Sequence, residues 1–238
     1  MVLNNRTNTN SPYAHSGSLT REQFLFFEMR TTAKLMIEGL TDEEIYERIY
    51  SENLFQFPTE KSIKLITSGC IRRLKALNNE KLVEALATRP TDEAKQICLY
   101  AMMKQSRLVW DFMTQVVGEK FRLKDMSFGK MEASVFLMRL QEQDDYVASW
   151  SPSTIDKIRQ VLIKILVENE YLDNTNSAHL NPVLISRVLE DGIRENGDEV
   201  ALLIGCQIFY LRLLLSGDRW SNRLYVRQGY HRGITMFI

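Results

Sequence analysis

Apolar side chains recur at helical spacing along most of this chain, and that period constrains its fold more than any other feature. Between positions 58 and 77, Ile63, Ile66, Cys70, Leu74 and Leu77 are separated by three, four, four and three residues. Such spacing lays one buried stripe along an α-helix. Ile155, Ile158, Leu162 and Ile165 repeat the pattern further on. The prolines agree with it. Ser151-Pro152 and Asn181-Pro182 read as an N-cap followed by a first-turn proline, where the missing N–H and fixed φ do no harm. Pro58 and Pro90 also head helix-period segments. With 11 Gly and 5 Pro in 238 residues, a loop-rich or many-turned β protein is excluded as the simple reading. The chain is predicted to be mainly α.

The period divides the chain into segments. A helix is expected over about 20–38, ending at Gly39, and a short one is capped by Thr41 with Asp42, Glu43 and Glu44 in its first turn. A third spans about 58–77, followed by a link over 78–90 and a long helix over 92–117. Helices at about 129–141, 144–149 and 152–169 come next. Residues 170–180 lose the period. A turn-rich centre, Asn174 to Ser177, separates two short apolar ends there, which predicts a small β-hairpin. Helices resume at 182–194 and 197–215. The expected organisation is a flexible lead-in over 1–18, a helix-turn-helix-like domain over 19–90, and a long helix with a winged-helix-like domain over 91–182. C-terminal helices and a basic tail occupy 183–238.

Two helices carry a polar row opposite the buried one. In the 58–77 segment, Lys61, Lys64, Ser68, Arg72 and Lys75 repeat the apolar spacing two positions earlier, about 200° round the helix. Arg73 flanks this row, and no acid of the same helix interrupts it. With the short acidic-start helix before it, this segment resembles a helix-turn-helix, whose second helix enters the DNA major groove. A solvated helix face has the same pattern. In the 152–169 segment, Ser153, Thr154, Lys157, Gln160 and Lys164 supply the short polar and cationic donors that reach phosphates and base edges. The hairpin tip would be a wing. Asp144, Asp145, Asp156, Glu168 and Glu170 accompany this second unit, so it equally suits protein contact or packing. Secondary candidates are Lys104 and Arg107 in the long helix, and Arg219, Arg223 and Arg227, which alternate with Trp220, Tyr225 and Tyr230 near the end.

Thirty basic and thirty acidic side chains cancel, which excludes binding of polyanions through net charge but leaves local basic faces open. Cys70, Cys98 and Cys206 are odd in number and set in apolar helical segments, so a disulfide framework is not expected and a reducing cytoplasm is. The longest apolar run, Val200 to Leu215, is broken by Gln207 and Arg212 and falls short of the roughly 20 residues of a membrane span. Phosphate-loop, dinucleotide and nucleophile-elbow motifs are absent, and His15, His179 and His231 stand at no zinc-ligand spacing. Pro90-Thr91-Asp92-Glu93-Ala94-Lys95 has the letters of a nuclease carboxylate-lysine signature, but its acids open a helix rather than lying on adjacent strands. No catalytic residue, metal or cofactor is expected.

Several segments together resemble the BrxA family, small accessory proteins of bacterial BREX phage-defence systems. They are Tyr13 to Leu19 with Glu22; Ile71-Arg72-Arg73-Leu74 with Leu77; Ala101 to Met113; and Ala148 to Ser151 with Thr154, leading into Leu166 to Leu172. The resemblance covers about residues 13–215. It implies an α-rich protein of helix-turn-helix character, also compared with the RNA-binding antitermination factor NusB. It further implies double-stranded DNA binding without enzymatic activity of its own, beside the methyltransferase and other BREX components. From the short apolar runs, no membrane partner is expected. Arg72 and Arg73 are the candidates it supports best. Lys104 and Arg107 lie in a resembling segment too, where Asp111 offers an alternative partner. A protein scaffold or a NusB-like RNA binder remains the alternative function.

Overall fold

The computed structural model describes residues 10–14 and 16–205. Among these residues there are eleven α-helices and no β-strand, as the apolar period requires. A 3-10 turn (Ser16–Thr20) precedes α1 (Phe26–Ile37), so the helix expected over 20–38 starts late. Between them Arg21 to Leu25 is irregular, and Leu25 takes a left-handed φ of 53°. The chain leaves α1 through Gly39 at φ 85°, which a glycine adopts without steric cost. Helix α2 (Asp42–Ser51) opens on a capping box, in which Thr41 and Glu44 satisfy each other's backbone N–H groups. Helix α3 (Glu60–Ala76) is capped by Thr59.

The expected link over 78–90 is itself a helix, α4 (Glu80–Thr88). Asn79 accepts from the Leu82 N–H at 3.2 Å, and Leu82, Ala85 and Leu86 are buried. The long helix expected over 92–117 is interrupted instead. Helix α5 (Thr91–Gln105) stops at Ser106, whose extended backbone restarts the chain as α6 (Arg107–Phe112). A π-helical turn (Met113–Gly118) then leads to α7 (Glu119–Leu123). Thr114 Oγ1 donates to the Trp110 carbonyl at 2.8 Å there, a side-chain bond that competes with the helical ladder.

Helices α8 (Lys130–Gln143), α9 (Asp145–Ala148) and α10 (Pro152–Glu168) follow, the last with Ser151 as cap and Pro152 in its first turn. The β-hairpin does not form. Asn174 to Ser177 makes a tight turn, but Ala178 to Leu180 bonds to Met126 to Phe128, ahead of α8, through one isolated bridge between Ser127 and His179. Tyr171, Leu172 and Leu180 are buried, so this segment is fixed by the core rather than by a strand ladder. Helix α11 (Arg187–Glu195) is capped by Ser186, not by Asn181. Asn181 donates its amide to the Glu170 carbonyl and the Asp173 carboxylate. A 3-10 turn (Glu199–Ile204) stands in the described part of the segment expected as a helix over 197–215.

Helices α1, α3, α4 and α5 pack on one another, with α2 against α3 and α11 against α4. Helix α10 packs on α8 and on the Ser16–Thr20 turn, and the Glu199–Ile204 turn on the π-helical segment. One cluster of buried hydrophobics runs from Leu19 to Ile204. It takes in the whole α3 stripe, where each buried aliphatic side chain contributes about 1.5–3 kcal/mol relative to exposure. The segment before the first turn straps this core from outside. Ser11 Oγ donates to Asp144 at 2.8 Å, Tyr13 Oη to Asp111 at 2.8 Å, and Tyr146 Oη to the Ala14 carbonyl at 2.9 Å. Among the described residues no helix is long and apolar enough to cross a membrane.

Candidate nucleic-acid interface

Burying Ile63, Ile66, Cys70, Leu74 and Leu77 turns the opposite row of α3 to solvent. Lys61, Lys64, Ser68, Arg72 and Lys75 are all exposed. Their electrostatics differ along the row because other elements bring acids to it. At the C-terminal end, Lys75 Nζ lies 2.6 Å from Asp42 of α2 and Arg72 Nη2 lies 2.9 Å from Glu22. At the N-terminal end, Lys64 Nζ sits 5.9 Å over the Tyr46 ring. Lys61 has no hydrogen bond or ion pair with another described residue. The positive charge that no acid of the described fold matches therefore lies toward the first turns, while Arg72 is paired through one nitrogen and is otherwise half-exposed. The connection from α2 to α3, residues 52–59, exceeds the three or four residues of a tight helix-turn-helix.

Arg73 is not part of this face. It is fully buried, and its guanidinium donates to backbone carbonyls just ahead of α1. Nη1 reaches Gln23 at 2.7 Å and Phe24 at 3.5 Å, Nη2 bonds Glu22, and Nε reaches Gln105 Oε1 at 3.2 Å. Burial lowers the pKa of the guanidinium, which the nearby thiols and Glu22 oppose. Its donors hold the irregular Glu22 to Phe24 segment, so no polyanion can reach it. Its position one step from the polar row (about 100°) places it at the core margin, where a long side chain can turn inward.

The α10 row is presented as the spacing predicts. Ser153, Lys157, Gln160 and Lys164 are exposed and Thr154 is half-buried. Ser153 and Thr154 are occupied locally, each with its hydroxyl 2.9 Å from Ser151 Oγ at the helix cap. Lys164 Nζ donates to Gln23 Oε1 at 3.2 Å. Lys157 has no hydrogen bond or ion pair with another described residue. Consecutive residues, Glu22 and Gln23, thus hold one cation from each row. In the sequence Glu22 stood out only within a resembling segment, and Gln23 carried no signal at all.

Comparison with known proteins places this geometry in a family. The BrxA family model matches residues 13–197, which include both rows and the segment between them. The chain belongs to the BrxA family. A protein named BREX protein BrxA from Bacillus cereus (strain H3081.97) is 34% identical over 188 residues, covering 78% of this chain and 93% of that protein. Another of that name, from Paramagnetospirillum magneticum (strain ATCC 700264 / AMB-1), is 27% identical over 175 residues, covering 74% and 87%. Among solved structures, an uncharacterized protein from Magnetospirillum magneticum aligns with a TM-score of 0.67 and 25% identity. That alignment covers 79% of this chain and 96% of the other.

Several residues of the BrxA-family segments serve to join elements. Arg107 Nε bonds Asp111 at 2.8 Å, as the alternative reading anticipates, but Asp111 is buried and also accepts from Tyr13 and Gln115. Lys104 does not join it. Its Nζ lies 2.6 Å from Asp198, which Tyr100 also bonds, so the charge of this half-buried lysine is already matched. Arg219, Arg223 and Arg227 lie outside the described residues, as do His15, Cys206 and the lead-in through residue 9. Cys70 and Cys98 are buried thiols, and burial pushes Cys98 up to about 12. No group of His, Cys, Asp or Glu among the described residues could hold a metal ion.

Proposed function

We propose that this chain acts in the cytoplasm as a non-enzymatic, double-stranded DNA-binding accessory protein of a BREX phage-defence system. The observation that carries the DNA reading is the exposed row of Lys61, Lys64 and Arg72 on α3, with Lys157, Gln160 and Lys164 exposed on α10. The BREX assignment takes its support from the names of its relatives. Phosphate contacts by such rows release counterions, so each adds about 0.9 to the slope of log affinity against log salt. Zero net charge keeps long-range attraction small and makes the contact local.

Lys61, Lys64 and Lys157 are the side chains to reverse, because none of them holds an acid of the fold. The triple variant Lys61→Glu, Lys64→Glu, Lys157→Glu is expected to weaken binding of a labelled duplex at low salt at least tenfold. Its melting temperature should stay within a few degrees of the parent's. Unchanged affinity in a fluorescence-anisotropy titration overturns the assignment. A second reading, contact with protein components of the same system, is favoured by Met131 and Met138 of α8, which are 71% and 54% exposed. Co-purification of BREX components that survives nuclease and is lost in Met131→Glu, without direct duplex binding, supports that reading. Preference for RNA over duplex DNA in the same titration supports the NusB-like one.

A further inference from the structure

Two exposed cations on helices far apart in sequence are held by neighbouring residues of one short segment. Arg72 of α3 bonds the Glu22 carboxylate at 2.9 Å, and Lys164 of α10 bonds the Gln23 amide oxygen at 3.2 Å. The chain dimensions then limit the two charges to about 20 Å apart or less. Beneath them the segment is immobilised, with Arg73 taking the carbonyls of Glu22, Gln23 and Phe24. The next residue, Leu25, is held at a left-handed φ of 53°, which persists only where the surroundings over-determine it.

The Glu22 side chain is fixed as firmly as its backbone. Its carboxylate is 3% exposed and lies against Gly69 of α3, where a Cβ would come within 2.8 Å of Oε2. A side chain at 69 would displace it. Oε2 has no hydrogen-bond partner, although it is buried. The carboxylate therefore rests in a packed slot with one direction of bonding, toward Arg72. Arg72 uses Nη2 for that bond and is itself half-exposed, so most of its five N–H donors remain free. A guanidinium held this way has less side-chain freedom to lose when it meets a phosphate.

We propose that Glu22 and Gln23 fuse the cationic faces of α3 and α10 into one polyanion-binding surface, with Glu22 the positioning residue for Arg72. The inference rests on the DNA reading above for the identity of its natural partner, but not for the surface itself. Simple charge bookkeeping gives the opposite sign for Glu22, since losing a carboxylate beside a basic face should tighten polyanion binding.

The test uses the full chain and two probes, a labelled 20-base-pair duplex and a heparin column. Glu22→Ala is expected to weaken duplex binding threefold to tenfold despite removing a negative charge, whereas Glu22→Gln, which keeps the acceptor, stays within twofold of the parent. Arg72→Gln and Lys164→Gln should each lower the salt slope of the same one-to-one complex by about one. Gln23→Ala, at a residue whose side chain is not part of the core, should weaken binding in the same direction as Lys164→Gln. Equal or tighter binding by Glu22→Ala, with its melting temperature kept, overturns the positioning role. An unchanged slope in Lys164→Gln overturns the single surface. If the parent ignores the duplex but Glu22→Ala, Arg72→Gln, Lys164→Gln and Gln23→Ala all elute from heparin earlier than the parent, the surface stands and the DNA reading falls. If the parent binds neither probe, both fall.

Discussion

Arg72 and Arg73 are consecutive on α3. The first is half-exposed against Glu22, while the second is sealed inside, donating to carbonyls of Glu22, Gln23 and Phe24. Replacing Arg73 by Met leaves those acceptors without their donor and should cost about 3–5 kcal/mol, read from chemical denaturation. Arg73→Lys should recover little of this, because an ammonium is a point charge where a planar fork is needed. Lys75→Ala is the contrast. Its pair with Asp42 is exposed on both sides, so the loss should stay within about 1 kcal/mol. The sequence placed both arginines as candidate contacts. Helical spacing assigns each an angle on the helix, but the direction taken by a long side chain at the core margin depends on what lies beside it.

Caps carry much of what could be read at the level of elements. Thr41 with Glu44, and Ser151 with Pro152, stand in the structure as their local chemistry requires. Because the Thr41 box is exposed and closes through its own helix, Thr41→Ala should cost about 1 kcal/mol, as a drop in the denaturation midpoint at unchanged slope. Two features escaped the local signals. Helix α4 is only nine residues long and gains its stability from Leu82 and Leu86 in the common core, so its existence depends on tertiary packing. The break at Ser106 falls inside a continuous apolar period, and a serine reads equally as an interior residue or a restart. Asn181-Pro182 shows the reverse case, a good cap signal left unused because Asn181 bonds the turn before it.

Across the whole molecule, parts distant in sequence are held by polar contacts to irregular segments. Ser11 to Ala14 ties α6 to α9 through Asp111, Asp144 and Tyr146. A chain begun at residue 15 should therefore be less stable by about 2–4 kcal/mol and melt lower, since buried Asp111 loses its Tyr13 donor. Tyr13→Phe alone should account for about 1–3 kcal/mol of that loss in the same melting experiment. The amino-acid sequence by itself determined the helical class, the buried stripes, the Thr41 and Ser151 caps and which row of α3 and of α10 faces water. All of these follow from periods and pairings within a few residues, where chain geometry fixes the neighbours. Only the tertiary structure decided that Arg73 is internal, that Lys104 is matched by Asp198, that the hairpin gives way to pairing with Met126 to Phe128, and that Arg72 bonds Glu22 while Lys164 bonds Gln23. Each of those depends on which distant groups the fold brings within hydrogen-bond range, and no local period encodes that.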